Sequence, residues 1–212
     1  MRERITVTLE PALIDSIELL VDGQTLRNRS HAIEHLLKEG LGLHELQQAF
    51  LFFEPGWTAS QLTAVLSLCR LADIRTFFLC LPTGDPRTDE VRNLTKAFTT
   101  QLVPLDFGSG GALALQKEKI SHPFLLVWLR PGLSIPTNIT QLFTFHRQHH
   151  AILTRVLTPH GDAEYSAAGV DIAQPELIDS IPAGIVSLQA TVFPNLAREA
   201  KMRGYATHTT TL

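Results

Sequence analysis

Cysteine is scarce in this 212-residue chain. There are two, Cys69 and Cys80, and they form no Cys-x-x-Cys pair. Each sits in an apolar run, which points to buried free thiols in a reducing compartment. No apolar run approaches the ~18 residues that a membrane-spanning helix needs. The N-terminus also lacks the apolar core of a signal peptide. The expectation is a cytoplasmic protein with no membrane partner. Basic charge is not in excess either: 18 Lys and Arg face 21 Asp and Glu, for a net charge of −3. That argues against a broadly basic nucleic-acid coat and leaves room only for a local patch. There is no internal repeat and no low-complexity tract. What the chain does have is 44% hydrophobic and 18% charged residues, a globular composition. Its length suits one domain of ordinary size plus a small module.

The small module comes first. In "MRERITVTLEP", Ile5, Val7 and Leu9 fall on one face of a strand. Arg4, Thr6 and Thr8 fall on the other, with Arg2 in phase. Pro11 stops the strand and suits a first helical turn. Leu13, Ile14, Ile17, Leu20 and Val21 then recur at helical spacing, and Asp22-Gly23 closes the helix. In "RNRSHAIEHLLKEGL", Asn28 is a candidate N-cap and Ala32, Ile33, Leu36, Leu37 and Leu41 form the buried face. A lone strand has no partner for its backbone groups, and forty residues bury little apolar surface. Two copies pairing their strands would cure both faults.

This stretch resembles the ribbon-helix-helix DNA-binding proteins of the Arc and MetJ type. The resemblance covers roughly residues 2–42 and rests on the R-x-T-x-T strand and the "NRSHAI" helix start. It implies a homodimer or higher even oligomer on double-stranded DNA. Arg2, Arg4, Thr6 and Thr8 would face the major groove, and Asn28, Arg29 and Ser30 would dock a backbone phosphate. Against it, residues 1–40 hold five Lys/Arg and seven Asp/Glu, so phosphate-driven affinity would be weak. The alternative is an assembly module that never touches DNA.

Residues 43–48 read as a linker, and the pattern then changes. "AFLFF" (49–53), "RTFFLCL" (75–81) and "PFLLVWL" (123–129) are continuous apolar runs, as expected of strands covered on both faces. Helical patterns at 58–72, near 89–98 and near 137–149 separate them. Further strands are expected at "QLVPL", 151–157, 163–173 and "GYATHT". This is an α/β domain with a mostly parallel, three-layer sheet over residues 49–212.

Residues 49–209 resemble the sugar-nucleotide nucleotidyltransferases. "GSGGALAL" lies where that family has a second Gly-rich, base-contacting turn, and "SAAGVDIAQPELIDSIPAG" and "LQATVFPNLAREAKMRGYATHT" match later landmarks. The resemblance implies ligand contacts from Gly108, Ser109, Gly110 and Gly111, with Gly169 on the sugar side. The ligand would be a nucleotide or sugar-phosphate effector. The same glycines could equally serve a tight strand-to-helix turn. The family's phosphate loop is missing: "EPGWTAS" follows the first strand, and no Arg or Lys lies between Gly40 and Arg70. Its metal-binding Asp is replaced by Arg130 in "LRPG", and its second by Thr209 or a neighbour.

The expectation is therefore no catalytic residue, no metal, no cofactor and no enzyme. The chain reads as a sequence-specific transcriptional regulator with a pseudo-nucleotidyltransferase domain that oligomerises or senses an effector. Two alternatives stand beside it. One is a DNA-organising or partition protein. The other is a nucleotide-sugar-binding enzyme that uses its N-terminal segment only for assembly. His146 and His150 stand one helical turn apart but lack the Glu of H-E-x-x-H and a third ligand. Asp85 or Asp89 suits helix capping. Trp57 and Trp128 read as core or dimer-contact residues, and Ser109 has no His/Asp partner.

Overall fold

Long-range contacts divide the chain into two units, Met1–Gly42 and Leu43–Leu212. The computed structural model describes residues 6–23, 26–40, 46–160, 164–206 and 209–211.

The first unit holds helices α1 (Pro11–Glu18) and α2 (Arg29–Gly40). Pro11 opens α1 at a position where its missing N–H costs nothing. Asn28 caps α2, its Oδ1 accepting from the His31 N–H at 2.9 Å. Arg29 forms an ion pair with Glu18. Within the single chain, residues 6–10 belong to no strand. Alternation gives a strand one apolar face, but only a second strand satisfies its backbone. Arg2 and Arg4 lie outside the described residues, and Thr6 and Thr8 are exposed.

In the second unit, β1 (Gln48–Phe53), β2 (Thr76–Leu81), β3 (Thr99–Pro104) and β4 (Phe124–Leu129) run parallel. Their separating helices are α3 (Ala59–Leu71), α4 (Thr88–Thr95) and α5 (Gly108–Ala114). Short β5 (Ser134–Pro136) and helix α6 (Ile139–Gln148) lead to β6 (Leu153–His160) and β7 (Glu164–Ala173). Short helical turns at Lys117–Lys119, Pro175–Ser180 and Leu188–Val192, helix α7 (Phe193–Arg198), β8 (Met202–Ala206) and β9 (Thr209–Thr211) complete the described elements. The seven-stranded sheet has the order β3-β2-β1-β4-β7-β6-β8. Strand β7 is antiparallel to both neighbours, and β9 pairs separately with β5. The mostly parallel α/β architecture is thus present, with one reversed strand and a small second sheet that periodicity did not reveal.

Each strand alternates its side chains between two cores, so the layers follow from the pleat. Leu51, Phe53, Leu79 and Val127 meet Leu62 and Val65 of α3 and Leu142 and Phe143 of α6. Phe50, Phe52, Phe78, Leu126 and Trp128 meet Leu113 of α5 and Phe193 and Leu196 of α7. Phe50 stacks on Phe78 with ring centroids 4.3 Å apart. Both cysteines are buried free thiols, and burial pushes the Cys69 thiol up to about 12. Among the described residues no helix is long and apolar enough to cross a membrane.

Sequence order continues outward from β1 to β2 and β3, whereas β4 lies on the other side of β1. The chain therefore changes direction between β1 and β4. Outside the carboxyl ends of two such strands a crevice opens, because their connections leave toward opposite sides.

Candidate functional site

A cavity of about 270 Å³ lies at that crevice. Phe52 of β1 and Trp128 of β4 line it, their rings 5.2 Å apart and inclined by 20°. Glu54, one residue beyond β1, stands beside them, its N–H donating to Leu129 O at 3.0 Å. Leu105, Gly108 and Ser109 form one wall, and Ser187 and Gln189 the other.

The two walls are tied together. Gly110 N donates to Val186 O at 2.8 Å, Val186 N donates to Phe107 O at 3.0 Å, and Leu188 N donates to Ser109 Oγ at 2.9 Å. Gly108 has φ +72, and a Cβ there would lie 2.4 Å from the Val186 carbonyl oxygen. Glycine is therefore required by backbone conformation and by close approach together. Of the glycines read from sequence, Gly108 lines the cavity with Ser109, while Gly110 and Gly111 are buried behind it. Gly169, at φ +93, lies instead beside Trp128 O, Leu133 and Arg130.

No phosphate cradle follows β1. The loop turns tightly, Trp57 N donating to Glu54 O at 3.3 Å. Thr58 and Gln61 form a reciprocal capping box that starts α3 at once. The Arg87 guanidinium lies 3.6 Å above the Trp57 ring, donates to Trp57 O at 2.8 Å and pairs with Glu90. Trp57 is a core residue. Trp128 is a core residue that also borders the cavity.

A divalent metal, which the nucleotidyltransferase resemblance implies, does not fit the residues present. Among the described residues no three His, Cys, Asp or Glu gather as a ligand set. Arg130 follows β4, its Nη2 donating to Ala167 O at 3.2 Å while its buried Nε has no acceptor. Asp171 is buried and engaged by Arg155 through two hydrogen bonds of 3.1 and 3.3 Å. Burial raises its carboxyl above the usual range, and Arg155 works in the opposite direction. His146 is buried between Thr154 (2.8 Å) and Gln174 (2.9 Å), so it packs the core. Asp85 caps the turn before α4 by accepting from Arg87 N at 2.8 Å.

Sequence reasoning missed Glu54, Ser187, Gln189 and the border formed by Phe52 with Trp128. A carboxylate directly after the first buried strand was the one local signal. Segment 187–189 left none, because its approach to Ser109 spans 79 residues of sequence.

No protein-family model and no curated protein matches the sequence. Solved structures share the fold. One is the inositol-1-phosphate CTP transferase from T. maritima, with a TM-score of 0.59 at 9% identity over 79% of this chain and 88% of that one. UDP-glucose pyrophosphorylase from Acinetobacter baumanii has a TM-score of 0.56 at 9% identity, over 79% and 87% of the two chains. The 4-diphosphocytidyl-2C-methyl-D-erythritol synthase from Anaerococcus prevotii DSM 20548 likewise has 0.56 at 9% identity, over 79% and 93%. At such identities the likeness is one of fold.

These findings correct two expectations. The reading as a sequence-specific DNA-binding regulator is overturned, because the structures that share four-fifths of the chain carry the names of nucleotide-handling enzymes. The reading as a non-enzyme is overturned on the same ground. The head adds no support for DNA. Within one chain Thr6 and Thr8 are exposed and Arg29 pairs with Glu18.

Proposed function

We propose that the chain is a nucleotide-sugar-binding enzyme of the nucleotidyltransferase fold, with the N-terminal unit serving assembly. The carrying observation is the cavity at the reversal of strand order between β1 and β4, walled by the Gly108–Ser109 turn. Fold position alone assigns no chemistry. The cavity adds to it a carboxylate and neutral polar groups on both walls, over an apolar base, the composition of a small-ligand site. Ser109, Ser187 and Gln189 would orient a bound nucleoside, and Glu54 would accept its hydroxyl protons.

The test is a thermal-shift and turnover panel of UDP-glucose, UTP, CTP and the common ribonucleosides. A ligand present at ~100-fold over its Kd stabilises by about 2.7 kcal/mol. For a chain of this size that raises the melting temperature by roughly 5 °C or more. Turnover is followed by phosphorus NMR of the nucleotide sugar. A panel in which no member shifts the melt or is consumed refutes the reading.

A further inference from the structure

The charge around the cavity says more about its ligand than the fold does. Glu54 is half-buried, and its carboxylate has no hydrogen-bond or ion-pair partner among the described residues. A part-buried carboxylate without a protein partner is left to accept from water or from a ligand's donors. The remaining polar lining is neutral. Ser109 Oγ accepts from Leu188 N at 2.9 Å and Ser187 Oγ accepts from Ala190 N at 3.2 Å. Each hydroxyl proton is therefore left to donate. No Lys or Arg lines the cavity.

Two arginines, one after β4 and one before α4, lie outside the lining. Arg87 lies over Trp57 and pairs with Glu90, and Arg130 donates to Ala167 O. The carboxylate thus stands directly after β1, where a triphosphate would require backbone N–H groups or a cation. Among the described residues that edge holds no ligand set for a metal that could screen such a charge.

We propose that Glu54 makes this a site for the neutral, hydroxyl-bearing part of a nucleoside or nucleotide sugar, and that it selects these ligands over a magnesium-bound nucleoside triphosphate. The inference rests on the nucleotide-sugar reading of the cavity and departs from the triphosphate that the fold resemblance implies. Ribose hydroxyls donate to Glu54, and an added anionic phosphate meets repulsion. The selectivity is electrostatic, so it weakens as salt rises.

Calorimetric titration of the full chain with uridine, UDP-glucose and UTP, each with and without Mg²⁺, tests this. Uridine should bind, UDP-glucose should bind more weakly because its diphosphate carries two negative charges, UTP should bind at least about tenfold more weakly than uridine, and Mg²⁺ should not close the gap. The substitution Glu54→Gln keeps the shape and removes the charge. It should weaken uridine about tenfold, as loss of a charge-assisted hydrogen bond does, and narrow the difference from UTP while leaving the melting temperature unchanged. If UTP with Mg²⁺ binds as tightly as uridine, or if Glu54→Gln leaves the uridine-to-UTP ratio unaltered, the inference is wrong and the nucleotide reading stands. If none of the three binds, the reading falls and takes the inference with it.

Discussion

His146 shows how one residue can set the response of the whole fold to pH. Its ring is buried between two partners of different kinds. The Gln174 side-chain amide donates to Nε2 at 2.9 Å, so Nε2 must be the acceptor. Nδ1 then carries the proton and donates to Thr154 Oγ1 at 2.8 Å. A second proton has no acceptor, and burial pushes the ring's pKa down to about 4 from an ordinary value of 6.5. The unfolded chain accepts a proton that the folded chain refuses. Stability is therefore full above pH 6.5 and falls as pH drops from 6.5 to about 4. The loss from this group alone is roughly 3 kcal/mol. Urea midpoints measured from pH 7.5 to pH 4 should decline across that window. His146→Gln, although less stable at neutral pH, should decline less. An NMR titration placing His146 near its ordinary value would contradict the assignment.

At the scale of elements, the turn into α5 is the tightest junction in the candidate site. A Cβ at Gly108 would press on the Val186 carbonyl oxygen at 2.4 Å, and φ is +72. Backbone cannot yield as a flexible side chain does. Gly108→Ala should cost on the order of 2 kcal/mol and lower the melting temperature by roughly 4–8 °C. It should also abolish ligand binding, because it parts the walls that hold Ser109 and Ser187. Gly84→Ala is the control: φ is +78 there, but nothing lies within 4 Å of the new methyl. It should cost about 1 kcal/mol and leave binding intact. This contrast marks the limit of what the sequence disclosed. Runs 49–53, 75–81 and 123–129 were legible as central strands because burial on both faces removes polar alternation. "GSGGALAL" was legible as a turn into a helix. That its glycines admit Val186 was not, because the partner is remote in sequence and a tight turn gives the same composition. The reversal of β7 was hidden for a related reason, since apolar pattern carries no strand direction. At residues 6–10 the alternation predicted a strand that pairs with a second copy, and within one chain Val7 is exposed.

For the whole molecule, the two units differ in how far each can stand alone. The second unit has two extensive apolar clusters, one on each side of its sheet. In the first, Ile17 and Ala32 are the buried apolar residues among those described, while Val7, Leu13, Leu19, Leu20 and Leu37 are exposed. A segment of about 40 residues with so little burial lacks the apolar gain needed to offset its chain entropy. Leucines recurring on short helices hold such a unit together only when another surface covers them, and a second copy of the same unit offers a self-complementary face. Light scattering on the full chain should therefore give twice the monomer mass or an even multiple, and residues 43–212 alone should be monomeric. That shorter chain should keep a cooperative melt and the same affinity for UDP-glucose, since the residues that line the cavity all belong to the second unit. A monomeric full chain would remove the assembly role from residues 1–42. Loss of ligand affinity on truncation would show that the second unit does not form the site by itself.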